Sequence, residues 1–201
     1  MWKNFTANVP ESPLPRIFAF QVSCISSQCE YLLIVAVRVF QRGEFPRDHV
    51  PTIFDTYVQD IRVRPTNTPV QLALWDTAGQ EDFVGLRKYS YPDSDVVVIC
   101  FSLDNYDSLE NVIELWQPET LRYAPPKTPF ILVGTKKDLR RGQRDGQCVS
   151  ALEGEAVAKR IGAKAYLECS AKFNEGVEEV FEVAAREAIK KPKGRGGCVI
   201  L

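Results

Sequence analysis

Two uninterrupted apolar runs, residues 95–102 (DVVVICFS) and 130–134 (FILVG), constrain the fold of this chain more than any other feature. A strand with no polar alternation must be buried on both faces, which happens where helices cover both sides of a parallel sheet. Residues 57–64 (YVQDIRVR) and 69–75 (PVQLALW) alternate apolar and polar side chains, and the Pro-Thr-Asn-Thr between them is turn chemistry, so they predict an antiparallel hairpin. Residues 165–169 (AYLEC) predict the last strand. Residues 108–123, 150–161 and 175–190 carry helical spacing, and Ser150 followed by Glu153 reads as a capping box. The expected fold class is α/β: a doubly wound, mostly parallel six-stranded sheet flanked by helices, its first strand atypical, with ligand loops at the carboxyl ends of the strands.

At 201 residues the chain has room for one well-buried core plus tails. A net charge of -1 gives no general field for nucleic acid, so no nucleic-acid partner is expected, and any attraction to an anionic surface must be local. The six cysteines form no C-x-x-C pair, and Cys100 and Cys169 sit inside apolar runs, as in a reducing, cytosolic compartment. Residues 17–40 are fairly apolar, but Gln21, Ser23, Ser26, Ser27, Gln28, Glu30 and Arg38 interrupt them. A membrane span of about 20 apolar residues is therefore not expected, nor is a signal peptide, since the start lacks a basic region and a clear cleavage pattern.

Three motifs fall at strand ends. In DTAGQE (residues 76–81) a hydrophobic strand ends in Asp76, which can hold a magnesium ion through water. Gly79 follows where a backbone N–H must approach a terminal phosphate without a side chain in the way, and Gln80 has the reach to orient an attacking water. In TKKD (residues 135–138) Asp138 can accept hydrogen bonds from the N1–H and the exocyclic amine of guanine, a donor pair that adenine does not present. In ECSAK (residues 168–172) the Ser170-Ala171-Lys172 turn offers a backbone N–H to the guanine carbonyl oxygen, with Lys172 placed to cover the base. Each of the last two strings is weak alone. The ordered triple is strong.

With these motifs in place the chain resembles a small GTPase of the Rho family. The further strings that carry the resemblance are RGEFPRDHVPTIFDTY (42–57), LWDTAGQEDF (74–83), SYPDSDVVVICFSLDN (90–105), the W-x-P-E of residues 116–119 and YLECSAK (166–172), and it covers residues 42–201. It implies a GTP/GDP-dependent molecular switch with Mg²⁺, in membrane-associated signalling of the cytoskeleton or polarity type. Thr52 and Asp76 would hold the metal, Asp76 through water. Thr52, Asp76, Gly79, Thr135, Lys136, Asp138, Ser170, Ala171 and Lys172 would bind the nucleotide, and Gln80 would be catalytic. Effector proteins would read residues 50–57, and exchange factors, GTPase-activating proteins supplying an arginine in trans, and dissociation inhibitors would be further partners. His49 falls where the family more often has an aromatic and receives no catalytic role. Residues 139–149 are shorter than the helical insert that Rho proteins usually carry there.

The phosphate loop of that family is missing. No glycine precedes Gly43, and where G-x-x-x-x-G-K-[ST] belongs, near residues 27–34, neither glycine, lysine nor a hydroxyl stands in register. That loop cradles phosphates on consecutive backbone N–H groups, neutralises them with its lysine and holds magnesium through its hydroxyl. Losing about five donors at roughly 1–3 kcal/mol each is a deficit on the order of 5–15 kcal/mol. At about 1.4 kcal/mol per tenfold, nucleotide affinity falls by about a thousandfold or more. Two explanations stand: a mispredicted or alternative first exon joined to an ordinary Rho GTPase, or a nucleotide-free pseudo-GTPase that serves as a binding module.

The C-terminus, Cys198-Val199-Ile200-Leu201, fits a C-a-a-X lipidation signal of the geranylgeranyl type, with Lys190, Lys191, Lys193 and Arg195 just upstream. One lipid binds membranes marginally, and four basic residues at about 1 kcal/mol each make up the difference on an anionic leaflet. The expected location is the cytoplasmic face of the plasma membrane, with a cytosolic pool. The expected organisation is an atypical segment over residues 1–41, a Rho-type GTPase domain over 42–189 and a polybasic C-a-a-X tail over 190–201.

Overall fold

The computed structural model describes residues 16–24, 36, 39–40, 54–77, 84–140 and 147–190. Its strands are β1 (Arg16–Cys24), β2 (Phe54–Val63), β3 (Thr68–Thr77), β4 (Val96–Ser102), β5 (Phe130–Thr135) and β6 (Tyr166–Glu168), which lie side by side in the order β2-β3-β1-β4-β5-β6. β2 is antiparallel to β3, and every other pairing is parallel. The parallel strands therefore share one carboxyl edge. The strand that sequence reading had not located is β1. It lies between β3 and β4, with Val22 beside Asp76 on one side and Cys24 beside Cys100 on the other.

The helices are α1 (Val84–Arg87), α2 (Tyr106–Asn111), α3 (Gln117–Tyr123), α4 (Ala151–Ile161) and α5 (Val177–Lys190). Every residue of β4 is buried because alternate side chains serve two cores. Val96, Val98 and Cys100 meet Val177, Val180, Phe181, Ala184 and Ala188 of α5, together with Ala36 and Val39. On the opposite face Val97, Ile99 and Phe101 meet Leu109, Val112, Trp116, Ala158 and Ile161. Residues 39–40 are helical, and the Phe40 ring stacks on Phe181 with centroids 4.5 Å apart. Truncating a buried ring such as Phe181 to alanine costs about 3–5 kcal/mol.

Two expected helix boundaries are corrected. The helix expected over 108–123 begins at Tyr106, where Asn105 caps it by accepting from the Ser108 N–H at 3.1 Å, and it passes through a π turn at Val112–Trp116 before α3. The helix expected from residue 175 begins at Val177, because Glu175 is held in an antiparallel bridge with Ser170 and Gly176 turns the chain at φ 73°. The capping box at Ser150 and Glu153 is present in both directions, and α4 ends on Gly162 in the left-handed conformation. Among the described residues no helix is long and apolar enough to cross a membrane.

Candidate functional site

The site is built from the loops that leave β5 and β6 at the carboxyl edge. Thr135 is buried, its hydroxyl donates to the Phe101 carbonyl at 2.8 Å, and its carbonyl accepts from the Leu103 N–H at 3.0 Å, so it closes the end of β5 onto β4. Lys136 then adopts φ 57°, which swings the chain into the 3₁₀ turn Lys137–Arg140. The Lys137 N–H donates to the Cys169 carbonyl at 3.0 Å and the Cys169 N–H to the Gly134 carbonyl at 2.9 Å, locking the two loops together. Cys169 is buried, which pushes its thiol up to about 12.

Asp138 and Ser170 are the centre of this arrangement. The Ser170 hydroxyl donates to Asp138 Oδ1 at 2.6 Å and accepts from the Phe173 N–H at 3.3 Å. Ser170 itself is fully buried, and its backbone exchanges hydrogen bonds with Glu175 at 2.8 and 2.9 Å. The carboxylate is thus aimed before any ligand arrives. Its other oxygen, and the amides of Ala171 and Lys172, meet no partner among the described residues. That leaves one acceptor and two N–H donors on neighbouring loops, the kinds of group that the N1–H, exocyclic amine and carbonyl of guanine require. The charged side chains around it are paired. Lys136 Nζ lies 3.3 Å from Asp104, Lys137 Nζ lies 2.9 Å from Glu175, and the exposed Lys172 ammonium sits 5.6 Å from the centre of the Phe173 ring.

Sequence reading missed the group that braces these loops. Arg140 donates to both oxygens of Glu168 at 2.6 and 2.7 Å and to the Val149 carbonyl at 2.7 Å, while the Tyr166 hydroxyl donates to Glu168 at 2.7 Å. Burial pushes the Glu168 carboxyl up, but the hydrogen bonds from Arg140 and Tyr166 outweigh it and hold the group below the usual carboxylate range. Burial and the bond to Glu168 push the Tyr166 phenol up. Its ring leans on Gly154, where an added Cβ would stand 2.2 Å from the Tyr166 hydroxyl. The available signal was the period of two in β6, which puts Tyr166 and Glu168 on one face.

Thr135, Lys136, Asp138, Ser170, Ala171 and Lys172 are therefore brought to one place. Asp76 lies near the carboxyl end of β3 with its backbone paired to Val22 and Asp55. Thr52, His49, Gly79, Gln80 and Cys198, and the first half of the effector stretch 50–57, lie outside the described residues, while residues 54–57 open β2.

This geometry defines an α/β domain whose candidate ligand loops stand at the carboxyl edge of the parallel strands. The chain belongs to the Ras family of small GTPases, which matches residues 34–190, most of its length. Domains of this family bind GTP and GDP, usually with Mg²⁺, and generally bind effectors, exchange factors and activating proteins.

The two ends of such a nucleotide fit this chain differently. The donor and acceptor set around Asp138 suits the guanine base. The phosphates do not fit: residues 25–35 (ISSQCEYLLIV), which follow β1, contain no glycine, lysine or threonine.

Proposed function

We propose that the chain is a Rho-type guanine-nucleotide-binding domain, a doubly wound G domain that works as a membrane-anchored signalling module. The observation that carries the nucleotide part is Asp138 fixed by Ser170 at 2.6 Å, an acceptor pre-aimed at the edge that distinguishes guanine from adenine. Because the phosphate-loop residues are missing, binding is weak, with a dissociation constant in the micromolar range or looser. Titrating the purified chain with fluorescent guanine and adenine nucleotides in magnesium buffer tests both parts. Equal affinity for the two bases sinks the guanine assignment, and nanomolar binding sinks the weak-site assignment.

The Rho-type assignment is supported by the strings at residues 42–57 and 166–172, and it assigns residues 50–57 to an effector partner. The C-a-a-X string at Cys198 and the basic residues Lys190, Lys191, Lys193 and Arg195 support lipid anchoring at the cytoplasmic face of the plasma membrane, with a cytosolic pool. A fluorescently tagged chain should sit on membranes, and Cys198→Ser should release it. Neutralising the four basic residues should shift it towards internal membranes. A Cys198→Ser protein that stays on membranes rules out the lipid anchor.

A second reading is a nucleotide-driven switch, in which Thr52 and Gln80 act on the terminal phosphate. DTAGQE at residues 76–81 favours it. It requires a form of the protein that encodes a phosphate loop ahead of Arg42, and genomic sequence upstream of Arg42 decides whether one exists.

A further inference from the structure

We propose that the part of the ligand this chain recognises is the guanine nucleoside, so that guanosine, GMP, GDP and GTP bind with nearly the same affinity. This rests on the guanine-reading site proposed above and adds what that site can sense: the base, and not the phosphate count. In a nucleotide-driven switch the opposite holds, because GTP and GDP must be told apart.

The bonds that shape the base-reading loops run between residues 101 and 176. They comprise Thr135 to Phe101, Lys136 to Asp104, Lys137 to Cys169 and Glu175, Asp138 to Ser170, and Arg140 to Glu168. Among the described residues, none of these bonds draws on β1. Three cations along this edge are committed, while Lys172 lies beside the Phe173 ring. Lys136, Lys137 and Arg140 each face a carboxylate, with N···O distances of 3.3, 2.9 and 2.6 Å. An ammonium already opposite a carboxylate gains little from a second anion, and the approaching phosphate meets that carboxylate's repulsion. The segment between Cys24 and Ala36 supplies no lysine and none of the glycines that let consecutive amides converge on an anion. Among the described residues, the groups open to the ligand are a rigid acceptor, Asp138, and the amides of Ala171 and Lys172.

The test uses the full-length chain and ligand-observed NMR titrations with guanosine, GMP, GDP, GTP and adenosine, each with magnesium and with EDTA. The four guanine compounds are expected to bind within about tenfold of one another, adenosine about tenfold weaker or worse, and EDTA to change nothing. Asp138→Asn should weaken all four alike and favour xanthosine, which presents an acceptor where guanine has its amine. That gain is read as new binding, which a misfolded protein does not give. Affinity that climbs by about a thousandfold from guanosine to GTP, or that depends on magnesium, overturns this inference and leaves the guanine assignment standing. Guanine compounds binding no better than adenosine overturn the guanine assignment and this inference with it.

Discussion

Along one edge of the sheet, the loops leaving β5 and β6 and the segment leaving β1 stand in different condition. The first are closed twice over, by backbone bonds between Lys137 and Cys169 and between Ser170 and Glu175, and by the Arg140–Glu168 pair behind them. The second begins at a central strand paired on both sides, yet its residues 25–35 contain no glycine, lysine or threonine of a phosphate loop. A parallel sheet delivers each loop to its carboxyl edge separately. On the proposed reading, base recognition and phosphate recognition are separable properties of this fold, each carried by its own loops.

The largest effect expected is on the side that lacks its chemistry. Replacing residues 27–34 with a G-x-x-x-x-G-K-T string should tighten GDP binding by about a thousandfold or more, while guanosine binding stays where it was. Fluorescent-nucleotide titration reads this, and a grafted protein that gains equally for guanosine breaks the separation. In that grafted form Gln80→Leu should abolish stimulated hydrolysis and leave binding intact.

Next comes the brace behind the base loops. Removing the Glu168 charge with Glu168→Gln strands Arg140 against a half-buried neighbour and should cost about 3 kcal/mol in chemical denaturation. The pH dependence has a definite sign. Because the Glu168 carboxyl is held below its unfolded value, its contribution is present above the ordinary carboxylate range and is lost as pH falls through the depressed folded value. The wild type should lose stability between neutral and acid pH more steeply than Glu168→Gln. Parallel curves would remove Glu168 from the account.

Ser170→Ala should act more on the ligand than on the fold. It removes a charge-assisted bond to Asp138, worth about 1.5–3 kcal/mol, and should weaken guanosine binding by about tenfold or more. The smallest effect belongs to the far end of the sheet. There Arg64 bonds Glu182 of α5 at 2.8 Å, but its side chain is 70% exposed, so Arg64→Ala should shift the denaturation midpoint least of these variants and leave ligand binding unchanged.

Residues 96–102 and 130–135 were legible as strands because burial on both faces leaves a run of apolar letters, and the hairpin and the Ser150 capping box because their signals are local. β1 was not. RIFAFQVSC mixes polar and apolar residues without a clean period, and its place is fixed by what β3 and β4 offer it. The π turn at Val112–Trp116 was hidden for a similar reason. Tertiary contacts accompany it: Arg87 lies 4.9 Å from the centre of the Trp116 ring and bonds Glu119 at 2.9 Å, and neither contact is written in the helix's own letters. Of the site, Asp138 and Ser170 were readable as motif residues, but Arg140 and Glu168 look like ordinary surface charges when they stand 28 positions apart in sequence.

The thiol of Cys169 makes the base loop its own stopwatch. Its carbonyl and amide lock the two loops together, and its side chain is buried and weakly acidic, so an alkylating reagent reaches it only in the moments when those loops separate. The rate at which Cys169 takes up such a label, followed by peptide mass spectrometry, counts those openings on the unmodified chain. A saturating guanine nucleoside should slow that uptake, because every bound molecule holds the loops shut for the time it stays.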